Sequence, residues 1–263
     1  MDDDLLQAYY ARDEERDRLA RGTGRLEFLR TVDVIERTLP PAPAVVADIG
    51  GGPGRYTDWL IDLGHTVIHR DLVADHVQQV RSRHSHVDTR VGDARSLDLS
   101  DSCADAVLLL GPIYHLRERS DRVQALREAR RIVATSGVVY VGAISRWGAR
   151  LDGILCKRLH QLHPRLLEIV DEAERTGWVR AAREGGFTCA THTHTELRKE
   201  VSDAGFDLEA VVTVEGIAFA LEDLDARLDD PVERTLVLDT LRAVESVPDL
   251  IGVGPHLLAT ARS

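Results

Sequence analysis

The residues best suited to chemistry run Asp48-Ile49-Gly50-Gly51-Gly52-Pro53-Gly54. Glycines without a Cβ let backbone come close to a ligand and turn through positive φ. An apolar run at 44–49 precedes them and predicts a strand. Tyr56, Trp59, Leu60 and Leu63 follow at helical spacing, closed by Gly64. A turn between strand and helix lies at the carboxyl edge of an α/β sheet, where nucleotides bind. A dinucleotide fingerprint, Gly-x-Gly-x-x-Gly, fails in both registers. Its third glycine would fall on Arg55 counted from Gly50, or on Thr57 counted from Gly52. The spacing present is Asp-x-Gly-x-Gly-x-Gly, at Asp48, Gly50, Gly52 and Gly54. A turn this rich in glycine and without a ligand would lose conformational entropy for no packing gain. Asp71 ends the next predicted strand, where a carboxylate can accept from both ribose hydroxyls of a nucleoside.

Other candidates are weaker by spacing. The pairs His84/His86, His160/His163 and His192/His194 each offer two ligands, without a nearby cysteine or carboxylate set, so no metal is expected. Cys103, Cys156 and Cys189 are odd in number and read as reduced thiols of a cytoplasmic protein. His192 precedes a Thr193-x-x-Glu196 capping box. A helix N-terminus disfavours positive charge and would keep a base or donor neutral there; a surface loop histidine is the other reading.

The elements that must position these groups alternate. Helices are predicted over 2–20 and 25–38, then strands at 44–49, 65–69, 104–110 and 138–144 with helices between them. Val123, Leu126, Ala129 and Val133 mark the helix that ends at Gly137. This rhythm specifies an α/β fold with a parallel sheet, helices on both faces and right-handed crossovers. It breaks over 145–190, where no strand is convincing and Leu151, Ile154, Leu155, Leu159 and Leu162 form an apolar stripe. This is a helical insertion after the fifth strand. A capped helix at 193–204, a strand at 207–215, a helix from Asp230-Pro231 and a strand at 255–261 close the chain. The division expected is an N-terminal helical segment, 1–40, and a main domain, 41–263, capped by 145–190.

With the motifs in order, residues ~44–144 resemble a class I S-adenosylmethionine (SAM)-dependent methyltransferase. Gly111-Pro112-Ile113-Tyr114-His115-Leu116 is similar to the Gly-Pro-x-Tyr-His-Leu signature of a bacterial group that methylates small molecules. Weaker similarity to that group covers Leu26-Glu27-Phe28-x-Arg30-Thr31, His192-x-x-x-Glu196-Leu197 and Val214-Glu215-Gly216. Thr191 and Thr193 depart from the bulkier surroundings expected of His192. The resemblance implies a Rossmann-like, seven-stranded sheet with its last strand antiparallel, and SAM as cofactor with S-adenosylhomocysteine as product. It implies Asp48, Gly50, Gly52, Gly54, Asp71 and Gly111 as cofactor contacts, Asp93 as acceptor from the adenine amino group and Ala94 as backbone donor to its ring.

Such a reaction needs a nucleophilic O, N or C held near an activated methyl with water excluded, and a base only where the nucleophile must lose a proton. Tyr114 and His115 follow the strand nearest the methyl: one of them contacts cofactor or acceptor, with His115 as base, or both simply pack. His192 is the second candidate base. Trp147 in the insertion and Tyr10 or Arg30 before the core are candidate acceptor contacts, suited to an aromatic or largely apolar molecule such as a specialised metabolite. Lys+Arg at 33 against Asp+Glu at 44 gives a net charge of −11, with arginines interleaved among acids as in Arg12-Asp13-Glu14-Glu15-Arg16. Such a chain repels phosphate backbones and anionic membranes, so a small-molecule acceptor is expected rather than nucleic acid. Alternatives are a SAM-binding regulator or scaffold without turnover, and a protein or RNA methyltransferase. The acidic N-terminus lacks a signal core and no run nears the ~20 apolar residues of a membrane span, so a cytoplasmic monomer or homodimer is expected.

Overall fold

The computed structural model describes residues 18–183 and 185–263. Five parallel strands, β1 (Val45–Ile49), β2 (Thr66–Asp71), β3 (Asp88–Val91), β4 (Ala104–Leu109) and β5 (Val133–Ser145), lie in the order β3-β2-β1-β4-β5. β9 (His256–Arg262) joins β5 antiparallel and in turn pairs antiparallel with β8 (Asp207–Thr213). These seven strands make the Rossmann-like, mostly parallel sheet anticipated above. β6 (Trp178–Val179) and β7 (Cys189–His192) add a small hairpin. β7 runs alongside Ile144 and Ser145, past the last β4 pairing at Val141.

The central strands are apolar on both sides because helices cover both faces. Val46, Ala106, Leu108 and Tyr140 face α1 (Gly22–Glu36), α2 (Arg55–Asp62) and α3 (Ala74–Arg83), which contribute Phe28, Ile35, Leu60 and Val80. A short helix, α4 (Pro112–His115), follows β4. Ala47, Val107, Leu109 and Val139 face the other way, onto Leu126 of α5 (Arg119–Ile132) and Leu197 of α7 (His194–Asp203). The insertion holds a π-helix at Ala149–Cys156 and α6 (Leu166–Thr176). Leu26 of α1 joins a third cluster with α8 (Leu224–Asp229) and α9 (Pro231–Val244). None of the helices among the described residues is long and apolar enough to cross a membrane.

Departures from expectation have local causes. β3 buries only Thr89, an edge pattern without an apolar signature, and β6 holds two residues, too few to show a period. α5 stops at Ile132, not at Gly137, because Val133 turns extended and pairs with Ala104. The stripe at 151–162 widens into a π-turn that leaves Leu155 and Leu162 exposed. The Thr193/Glu196 capping box forms in full. At Asp230 the carboxylate caps Val232 and Glu233, while Glu233 turns to Arg227. The helix expected over 2–20 lies almost wholly outside the described residues.

α1 is anchored by a buried cation. Arg30 is fully enclosed, donating Nε to the Val214 carbonyl at 3.2 Å and Nη2 to Glu245 at 2.5 Å, while Nη1 pairs with Asp33. Arg37 faces the same two carboxylates. Removing one member of a buried ion network leaves the others uncompensated, typically at a cost of about 3–5 kcal/mol. Arg30→Met is expected at the low end of that range in urea unfolding, because Arg37 remains. A loss below about 1 kcal/mol would show that the network does not hold α1.

Candidate active site

The glycine turn is built from β1 upward. Gly50 donates its amide to the Arg70 carbonyl at 2.6 Å, tying the turn to β2, and Gly54 precedes α2. Gly50 has φ +68° and a Cβ there would lie 2.4 Å from Pro112 Cγ, so α4 itself excludes a side chain. Gly52 differs. At φ +57° its missing Cβ would meet nothing within 4 Å, and it borders the main cleft. Gly52 thus leaves room for something other than this protein.

Asp48 is buried beneath the turn, accepting from Thr57 Oγ1 at 2.7 Å. Burial, reinforced by the nearby Asp71 charge, pushes its pKa up against the pull of His69 and Thr57. It supports the turn from below and forms part of the cleft floor. Asp71 ends β2 and is the meeting point of the site. Its Oδ2 accepts the Gly52 amide at 2.8 Å, and its Oδ1 accepts from Val73 N at 2.8 Å and lies 3.1 Å from His76 Nδ1. Burial would raise its pKa, but these three bonds hold it below the usual carboxylate range. A carboxylate offers about four lone-pair positions, so the capacity left is on Oδ2. A ribose hydroxyl placed at Asp71 would meet that oxygen.

Further along, Gly92, Asp93 and Ala94 line the cleft. Arg95 donates to both Asp93 oxygens, at 3.0 Å from Nε and 2.6 Å from Nη2. Burial opposes the Asp93 charge, but Arg95 outweighs it and lowers the pKa. An adenine amino group at Asp93 would therefore share the carboxylate with Arg95. Gly111, Tyr114 and His115 form the wall across from the turn. The Tyr114 and His115 rings stack edge to face at 4.6 Å, and Phe187 lies 5.8 Å from His115. Burial drives His115 down to about 3, so its ring is neutral.

Two sequence-derived candidates lie outside the cleft. His192 is buried with Nε2 3.2 Å from Glu200, which also binds Arg122, because pairing of β7 with β5 turns the ring toward α7. Trp147 lies against the 252 region, where a Gly252 Cβ would be 3.1 Å from its ring. Arg30 is enclosed in the ion network described above and does not reach the cleft. Tyr10 lies outside the described residues. In their place the cleft gathers Glu27 and Thr31 of α1, Tyr56 of α2, Val214, and His256 of β9. Glu27 had a signal, a carboxylate on a helix stretch otherwise burying Leu26 and Phe28. Glu215 follows the apolar strand at 211–214. His256 had none.

The sheet order is that of a Rossmann-like methyltransferase fold, with an open turn at Gly52 and a carboxylate at the end of β2. Residues 47–141 match the family model of a methyltransferase domain. A probable S-adenosylmethionine-dependent methyltransferase of Mycolicibacterium smegmatis is 33% identical over 101 residues, covering 38% of each chain. A probable tRNA methyltransferase 9B of Mus musculus is 31% identical over 111 residues, covering 41% of this chain and 24% of that one. The chain thus spans well under half the length of these relatives. Among solved structures, a SAM-dependent methyltransferase of Thermotoga maritima, described as a possible histamine N-methyltransferase, is 19% identical. It covers 97% of both chains with a TM-score of 0.59. Residues 47–141 thus match a methyltransferase domain and lie within a sheet of the fold seen in that structure.

The two glycines predict different phenotypes. Gly50→Ala should lower the melting temperature, since Pro112 must move. Gly52→Ala should fold, losing about 1–2 kcal/mol to its left-handed backbone, and should weaken SAM binding by about 1–3 kcal/mol in calorimetry. Asp71→Ala should weaken SAM by about 1.5–3 kcal/mol, the scale of a hydrogen bond to a charged group. Unchanged affinity in Gly52→Ala would mean that the open space belongs to no ligand.

Proposed function

We propose that this chain transfers the methyl group of SAM to an O, N or C nucleophile of a small molecule. The observation that carries the reading is the open position at Gly52, directly above a carboxylate with acceptor capacity to spare. A nucleoside bearing an amino acid fits this set of residues. Asp71 would hold the ribose, Asp93 and the Ala94 amide the base, and Gly50, Gly52 and Gly111 would line the amino-acid portion. Bound SAM would supply a methyl carbon already activated by its sulfonium. The chain's own residues then have to hold the acceptor, exclude water and manage any proton.

The cleft supports a small acceptor. Past the turn its wall is formed by Leu19 just before α1, Tyr56 of α2, Val214 just after β8, and Leu257 and Leu258 of β9, which together make an apolar arm. The net charge of −11 disfavours an RNA backbone, although one relative is named as a tRNA methyltransferase. Its match spans only 41% of this chain and 24% of that relative.

Calorimetry on the folded chain should register saturable binding of SAM and of S-adenosylhomocysteine. Incubation with methyl-labelled SAM and a cell extract should then place label in the small-molecule fraction. Label in RNA or protein instead would overturn the acceptor class. Binding without any S-adenosylhomocysteine formed would favour a regulator or scaffold. No heat with either ligand at millimolar concentration would defeat the reading altogether.

A further inference from the structure

His256 opens β9 opposite Ile144, at the carboxyl edge of the sheet, and its ring borders the apolar arm of the cleft. Nδ1 lies 2.5 Å from Glu215 Oε1, and Glu215 Oε2 accepts the His256 backbone N–H at 3.1 Å. Glu215 is fully buried, so these two contacts lock the carboxylate and the ring together. Nε2 has no hydrogen-bond partner among the described residues, and the side chain is 26% exposed. A carboxylate behind one ring nitrogen fixes the tautomer and leaves the other nitrogen to exchange a proton.

The charged groups facing this ring are few. Glu27 lies 3.8 Å from Nδ1 across from α1, and Arg18 pairs with Glu27. Tyr56 also borders the arm, and burial, then Glu27, push its hydroxyl pKa upward, so it stays protonated. Glu27, Tyr56 and His256 line the cleft beside the apolar residues Val214 and Leu257, the part that the methyltransferase reading gives to the acceptor.

Building on the methyltransferase reading, we propose that Glu215 and His256 form an acid–base dyad whose Nε2 removes the proton of a phenolic or enolic hydroxyl held in this arm. The hydroxyl proton passes to Nε2 as the oxygen lone pair forms the bond to the methyl carbon. The electron pair of the broken C–S bond stays on the departing thioether. Glu215 balances the imidazolium that results, and water takes the proton once the product leaves.

The chemistry of the pair selects this acceptor. Burial works against a charged ring, but Glu215 and Glu27 outweigh it and push His256 up to about 9, with Arg18 a lesser opposing influence. A phenol of pKa about 10 then gives up its proton almost without cost, and a carboxylic acid arrives already ionised and needs no base. Because the folded pKa is raised, the basic form grows as pH rises toward 9, and turnover should climb close to tenfold per pH unit below it.

The test combines histidine-selective NMR titration of the cofactor-free chain with turnover assays. The assays offer SAM with 2-naphthol, 4-methylphenol, benzoate and benzylamine. His256 should titrate near 9, and Glu215→Gln should lower that midpoint by at least about one pH unit. Phenols should be the methylated class. His256→Asn should cut their turnover by about 100-fold or more and flatten the pH profile, with SAM affinity in calorimetry unchanged. Benzoate or benzylamine as the sole substrates, or a full rate and intact profile in His256→Asn, would overturn the dyad. So would a midpoint that Glu215→Gln does not move. Glu27, Glu215 and His256 also present ligand atoms within 4.8 Å of one another. Saturable Mn²⁺ binding that turnover requires would overturn the dyad and make the trio a metal centre. Failure of the unmodified chain to bind SAM defeats the methyltransferase reading; normal SAM binding with phenol turnover indifferent to His256 defeats the dyad alone.

Discussion

The site depends on one buried anion. Asp71 takes hydrogen bonds from the Gly52 amide, the Val73 amide and the His76 ring, three groups from the glycine turn and the start of α3. An ionised carboxylate out of water is tolerated only while such partners are supplied. The anion therefore fixes the register between the glycine turn, the end of β2 and the start of α3. Arg70 strengthens the same junction, since its carbonyl accepts the Gly50 amide while its guanidinium reaches Asp98 at 2.6 Å. The turn is held from both sides by polar groups of β2, and the one glycine of the turn whose absent Cβ would meet no protein atom, Gly52, borders the cleft.

The opposite arm of the cleft follows from a second buried charge. Arg30 pulls α1 onto the Val214 carbonyl and Glu245, and Glu27, three residues earlier on the same helix, is carried to the cleft margin. Val214 is followed by Glu215, whose carboxylate reaches His256. One structural cation thus sets the distance between two carboxylates and an imidazole that come from α1, the end of β8 and the start of β9. Arg18 and His256 together offset Glu27 and Glu215, which leaves a balanced set of charges in an apolar wall.

How much of this could be read from the chain depends on the range of the interaction. The run from β1 through α2 was legible because periodicity and glycine placement act between neighbours, and β4 announced its burial by the apolar run at 106–110. Asp71 was legible as the residue that ends a strand after such a turn. β3 and β6 were not, since one is an edge with a single buried side chain and the other pairs only two residues. His192 shows a subtler failure. Its place before a capped helix was readable, but the direction of its ring is set by the pairing of β7 with β5, a contact between distant segments. Glu27, Glu215 and His256 share no spacing at all, so only the folded sheet brings them together.

Two histidines in one cleft end up in opposite states for reasons that can be traced to their neighbours. His115 is enclosed by Tyr114 and Phe187, and burial takes it down to about 3, with the Asp71 charge a weaker opposing pull. A ring with so little proton affinity stays neutral across the ordinary pH range. His256 is also penalised by its surroundings, yet two carboxylates reverse the sign and carry it to about 9. Separation of proton affinities within one site is how a fold assigns different roles to the same residue type. Signature position alone would have favoured His115 as the base. The electrostatics place proton exchange some distance along the chain, at a residue whose only sequence context is an apolar strand.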